Sequence, residues 1–121
     1  MTAMGRRELE RERRRLARNL PPLEEVLRAS LFERARRCGK PNCRCAQPDD
    51  RGHAVVCVSL ALPDGTPSQV SLPRVLVPRA EVWIANYQRW RESVEQISAI
   101  NHELLRQRWV EPLPGEGSRR R

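Results

Sequence analysis

Aromatic side chains are scarce: three Trp, one Tyr and one Phe, or 4% of 121 residues. A core built with so few large side chains is small, and a small core is marginal without a disulfide, a metal or a partner chain. Long hydrophobic runs are missing too. The longest mostly apolar stretch, AVVCVSLAL at 54–62, is too short to cross a bilayer. No apolar segment follows the Arg-rich start, so no secretory leader is read there. These absences point to a soluble, cytoplasmic protein with no membrane partner, in a compartment where thiols stay reduced. Lysine is nearly absent as well: Lys40 stands alone among 23 basic residues, and the rest are arginine. The formal net charge is +8. That excess favours acidic partners, nucleic acid first among them, against the plainer reading of a solubilising surface.

Four cysteines are present, and three of them fall within eight residues, CGKPNCRC at 38–45. In a reducing compartment, clustered cysteines suggest a metal rather than a disulfide. Cys38, Cys43 and Cys45 have C-x4-C-x-C spacing, and His53 follows eight residues later. Three thiolates and one imidazole form the closed tetrahedral set of a structural zinc site. Gly39 permits a tight turn beside the first sulfur, and Pro41-Asn42 turns the chain back so that Cys43 faces it. An iron–sulfur cluster fits less well, because C-x-C is not a usual spacing for one. Cys57 is a rival fourth ligand, but it sits inside a Val-rich strand pattern where a cysteine acts as a small core hydrophobe. His53 is preferred because it lies in a loop.

The pattern along the chain divides it into three. Residues 1–20 form a basic arm. Within it GRRELERERRRLAR at 5–18 holds seven Arg and three Glu around only Leu9, Leu16 and Ala17. So thin an apolar stripe predicts a flexible segment, or one that becomes helical on nucleic acid; a solvated charged arm is the alternative. Residues 21–110 form an α+β domain. Leu23, Val26, Leu27 and Leu31 after Pro22 predict a helix over 22–37. The metal knuckle spans 38–53. A β-hairpin follows over 54–73, with a Pro-Asp-Gly turn at 63–65. A long amphipathic helix then covers 78–109. Residues 111–121 read as a disordered basic tail.

On the long helix, Trp83, Tyr87, Trp90, Val94, Ile97, Asn101 and Leu104 alternate in steps of four and three. This is a short heptad seam with Asn101 at a core position. Its first half is expected to fold back as core. Its second half is expected to pair with another copy or with a larger protein complex.

Catalysis finds little support. A four-ligand site leaves no open position for substrate or activated water. His102-Glu103 starts like an H-E-x-x-H metalloprotease helix, but Arg106 stands where the second His would be. The expected function is therefore non-catalytic nucleic-acid binding, to DNA or RNA. Arg34, Arg36, Arg37, Lys40, Arg44 and Arg51 would form a basic face around zinc. A zinc-stabilised protein adaptor docking through its last helix is a second reading, and a thiol redox sensor a third.

ASLFERARRCGKPNCRCAQPDDRGH, residues 29–53, resembles a prokaryotic family of short proteins whose domain has no known function. Its pattern is a GSLVERYRRCGKPNCRCA core and a loop ending in HGPYYYLS. A strand pair and a long C-terminal helix follow. The resemblance spans about residues 27–105. It implies that Cys38, Cys43, Cys45 and His53 are the shared polar set, which favours His53 over Cys57. Family members often accompany mobile genetic elements. This chain departs from the pattern at Ala29, in place of Gly, and at Ala54-Val55-Val56-Cys57, in place of a tyrosine-rich strand. If those tyrosines stack on bases, that surface is lost here.

Overall fold

The computed structural model describes residues 4–115. Its elements are α1 (Arg6–Arg18), β1 (Ser30–Arg36), β2 (His53–Ala61), β3 (Pro67–Leu72) and α2 (Val77–Arg106). Short 3-10 turns lie at Leu23–Glu25, Arg44–Ala46 and Arg74–Leu76. The α+β class expected from the sequence is found. Packing divides the chain into two units. One is Pro22–Gln88; the other combines the residues up to Pro21 with those from Arg89 onward.

The first unit is built on a three-stranded antiparallel sheet in the order β1-β2-β3. Strand β2 is Val-rich and bounded by turn residues, which suits a central strand. It returns to β3 through the Pro-Asp-Gly turn, where the Thr66 N–H donates to Asp64 Oδ1 at 2.9 Å. That bond holds the Asp64 carboxyl below its ordinary range.

The helix expected over 22–37 does not form. Only Leu23–Glu25 makes a turn, and Val26 is already extended at φ −120 and ψ 147. Ser30–Arg36 is a strand paired to β2, with Phe32 opposite Cys57 and Arg36 opposite His53. The reason is tertiary. Residues 31–36 also carry a two-residue alternation, Leu31, Glu33 and Ala35 against Phe32, Arg34 and Arg36. A hairpin alone is weak, and a third strand completes the pairing of β2. Local helical spacing loses to that gain. The preceding segment is tied to α2 by Leu27 N–H to Trp83 C=O at 3.0 Å and by Asn86 Nδ2 to Glu25 C=O at 2.9 Å. The start of α2 and the turn before it meet the sheet: Leu76, Ala80 and Trp83 share a cavity with Leu27, Val58, Val70 and Leu72.

The second unit is a helix pair. The arm expected to be flexible is helix α1, packed on the later part of α2. Leu9 and Leu16 are buried with Ile100 and Leu104, and Ile97 and Trp109 pack against them. Two leucines seven residues apart are a thin stripe. They suffice because α2 offers a matching one, which an isolated segment lacks. Arg13 Nη1 donates to Asn101 Oδ1 at 2.8 Å, Arg89 Nη2 to the Asn19 carbonyl at 2.8 Å, and Trp90 Nε1 to the Pro21 carbonyl at 2.9 Å. The two helices are thus antiparallel. Helix α2 ends at Arg106, three residues before the expected Trp109. Arg108 adopts φ 60, Trp109 N–H returns to Leu104 C=O at 2.8 Å, and Arg108 N–H returns to Leu105 C=O at 3.0 Å. This is a Schellman cap, with Arg where glycine is usual. Of the expected basic tail, residues 116–121 lie outside the described residues.

Candidate metal centre

The loop between β1 and β2, with the first residue of β2, brings together the four residues expected to bind metal. The ligand atoms of Cys38, Cys43, Cys45 and His53 all lie within 4.8 Å of one another. Cys38 Sγ is 3.4 Å from Cys45 Sγ, and Cys43 Sγ is 3.3 Å from His53 Nε2. Tetrahedral zinc with Zn–S near 2.3 Å would set its sulfurs about 3.8 Å apart, so the set needs only small adjustments to close on an ion. Cys57 is not part of it. It is 2% exposed in the middle of β2, with Ser71 Oγ 3.9 Å from its sulfur.

Each ligand is placed by a definable local feature. Cys38 lies two residues beyond the end of β1, and Gly39 at φ 84 takes the left-handed turn that starts the knuckle. Cys43 N–H closes a turn onto Lys40 C=O at 3.2 Å, and Ala46 N–H closes the next onto Cys43 C=O at 3.0 Å. His53 is the first residue of β2, opposite Arg36. Gly52 before it has φ 92. A Cβ on Gly52 would sit 2.9 Å from the Arg36 carbonyl carbon and oxygen. The loop therefore returns hard against the end of β1, and only glycine fits. Gly52 N–H also donates to Asp50 Oδ1 at 2.7 Å.

Backbone N–H groups approach the sulfurs. The N–H of Lys40, then contacts from Cys45 and Cys43, hold the Cys38 thiol below its ordinary pKa. The N–H of Cys45 does the same for Cys43, with help from His53 and against the Cys38 sulfur. Cys45 is buried. The Cys38 N–H, 3.3 Å from its sulfur, favours its thiolate, but burial and the neighbouring sulfurs outweigh it and push the thiol up. A bound divalent ion reverses that balance, because a coordinated thiol is deprotonated. N–H groups aimed at sulfur are the outer shell expected of a thiolate metal site.

The six residues expected to contact nucleic acid separate into two kinds. Arg34, Arg36, Lys40, Arg44 and Arg51 are exposed. Arg44 is 3.5 Å from Asp50 Oδ2 with its side chain 91% exposed, so that pairing is loose. Arg37 is committed to the fold. Its Nη1 donates to the carbonyls of Cys45 at 2.6 Å and Gln47 at 2.9 Å. Its Nη2 donates to those of Asp50 at 2.9 Å and Pro48 at 3.5 Å. One guanidinium thus gathers the carbonyls of the whole return loop. The sequence carries no spacing signal for that role. Gly52 had one, a glycine two residues after an Asp and directly before a ligand.

The seven heptad residues fall in both units. Trp83 and Tyr87 belong to the sheet unit. Trp90, Val94, Ile97, Asn101 and Leu104 belong to the helix pair. Within that pair α1 covers Ile97, Asn101 and Leu104, while Val94 is 54% exposed. No helix among the described residues is long and apolar enough to cross a membrane.

A small α+β module whose clustered Cys38, Cys43, Cys45 and His53 can hold a metal ion is the class these features define. Residues 6–79, more than half of the chain, match the family described as domain of unknown function (DUF6788), and the chain belongs to that family. The matched span runs from α1 through the sheet and the cysteine-rich loop to the start of α2. No curated protein and no solved structure is similar enough to the chain to match it.

Proposed function

We propose that this protein is a zinc-stapled nucleic-acid-binding module without catalysis of its own, acting in the cytoplasm beside a larger nucleic-acid enzyme or mobile element. The observation that carries the reading is the pairing of a closed Cys3His donor set with five exposed cationic residues, Arg34, Arg36, Lys40, Arg44 and Arg51, on the strand and loop that hold it. Zinc suits the donor set: three soft thiolates and an imidazole in a tetrahedral arrangement are its commonest structural site. The closed set supports a structural ion rather than a catalytic one. The flanking arginines supply phosphate contacts, and the net charge of +8 adds long-range attraction.

The test is the affinity of the zinc-loaded chain for a labelled oligonucleotide as salt is raised. Five phosphate contacts give a log–log slope of about −3.5 for single strands and −4.5 for duplex. Binding that is absent, or insensitive to salt, sinks the proposal. One observation favours a protein adaptor instead: Val94 and Leu105 leave apolar surface on α2, at 54% and 60% exposure. In that case a partner, or a second copy forming a dimer, is retained after nuclease treatment and at high salt.

A further inference from the structure

The sheet sorts its charge by face. Along β1, Phe32, Arg34 and Arg36 lie on one side, and Leu31, Glu33 and Ala35 on the other. Residues paired across an antiparallel ladder share a face. Register therefore sets Cys57 beside Phe32, Val55 beside Arg34 and His53 beside Arg36. It also adds Ser71 next to Cys57 and Gln69 next to Ser59. This face has two arginines, a metal-site histidine, polar uncharged Gln69, Ser59 and Ser71, and an apolar centre. It has no carboxylate. The one acid of β1, Glu33, is on the opposite face, which carries Val56, Val58 and Leu72 and meets the first turns of α2. Arg34, Arg36, Gln69 and Ser71 are exposed, and Phe32 and Val55 are half-buried.

From this arrangement we infer that the Phe32–Arg34–Arg36 face of the sheet binds single-stranded nucleic acid, with a base stacked on Phe32 and phosphates held by the two arginines. The inference rests on the nucleic-acid reading above and narrows it. Charge complementarity selects a polyanion. The shape of the face selects the single strand. The major groove of a duplex admits a helix or a two-stranded ribbon, and a three-stranded face is broader than either. A duplex also hides the flat surfaces of its bases, whereas an unpaired base offers one to Phe32. Gln69 and Ser71 stand where they can meet base edges.

The experiment uses the full zinc-loaded chain and fluorescence anisotropy. The probes are single-stranded DNA and RNA of about 12 nucleotides, the site-size scale of single-strand binders, and the duplexes of the same sequences. Salt is varied between about 50 and 200 mM. Single strands are expected to bind at least about tenfold more tightly than duplex. Phe32→Leu should weaken single-strand binding about tenfold, within the range for loss of one stacked base, and leave duplex binding unchanged. The double variant Arg34→Gln, Arg36→Gln should reduce the single-strand salt slope by about 1.4, two phosphates at about 0.7 each. Zinc content and melting temperature report whether Phe32→Leu is folded. If it is not, Gln69→Glu at an exposed position decides, by placing a carboxylate on the face: several-fold weaker single-strand binding supports the inference, and no change overturns it. Duplex binding as tight as single-strand binding overturns it while the nucleic-acid reading stands. Salt-independent or absent binding to both forms overturns that reading as well.

Discussion

Replacing Gly52 with alanine isolates the close approach that sets His53 in place. Gly52 and Gly39 both have positive φ, 92 and 84. An L-residue in that conformation costs about 1 kcal/mol at either position. The surroundings differ. A Cβ at Gly39 meets nothing within 4 Å, whereas one at Gly52 lies 2.9 Å from the Arg36 carbonyl carbon and oxygen and 3.1 Å from its nitrogen. Those atoms belong to a paired strand and have no rotamer to escape into. Overpacking of this kind adds about 1–3 kcal/mol. Gly39→Ala should therefore cost about 1 kcal/mol and Gly52→Ala about 2–4. Thermal melts of the zinc-loaded chain should show falls of about 4 °C and about 8–16 °C, at about 4 °C per kcal/mol for a chain of this size. Zinc affinity, measured by chelator competition, should drop about tenfold in Gly52→Ala, since the clash displaces the residue before a ligand. Equal effects from the two variants would refute the reasoning, because the larger cost expected at Gly52 comes from the contact with Arg36.

Arg37→Lys should destabilise the metal loop by about 1–2 kcal/mol, since one ammonium cannot span the carbonyls of Cys45, Gln47 and Asp50; faster amide exchange over 45–50 is the readout. Leu16→Ala, at a side chain 7% exposed, should cost about 2–3 kcal/mol and lower the helical circular dichroism as α1 detaches. Cys43→Ser should abolish stoichiometric zinc binding, whereas Cys57→Ser should keep the metal and show only a packing defect. Glu103 has its pKa drawn down from 4.5 to about 2 by its hydrogen bonds to Arg106 and then Gln107. Because the folded value lies below the unfolded one, this contact stabilises the last turn of α2 above about pH 4.5 and is lost as pH falls toward 2. The Glu103 carboxyl carbon followed by NMR should titrate in that window.

Much of the site was legible because its signals are local. C-x4-C-x-C and a histidine before a strand need only turns to converge, and Gly39 marks the first of them. The α+β class followed from the Val-rich strand, its Pro-Asp-Gly turn and the long periodic helix. Residues 22–37 carry two signals: Leu23, Val26, Leu27 and Leu31 fit helical spacing, while Leu31 to Arg36 fit strand spacing equally well. The choice was made by β2, whose free edge gains a whole ladder from β1. The arm at 6–18 depends on a distant partner in the same way. Its two leucines are too few to fold alone, and the stripe that completes them is some 90 residues away in sequence, at Ile100 and Leu104. Of the heptad residues on the later part of α2, Ile97, Asn101 and Leu104 are met by α1 of the same chain. Arg37 resembles its neighbouring arginines in sequence, because nothing there shows that loop carbonyls converge on it.

The proposed function depends on Cys38, Cys43, Cys45 and His53 holding one zinc ion. X-ray absorption at the zinc edge, on protein whose metal content has been measured, tests it most directly. One zinc per chain is expected, in a shell of three sulfurs at about 2.3 Å and one nitrogen at about 2.0 Å. A four-sulfur shell would bring Cys57 in and His53 out, and a chain that folds and melts identically without metal would contradict the claim altogether.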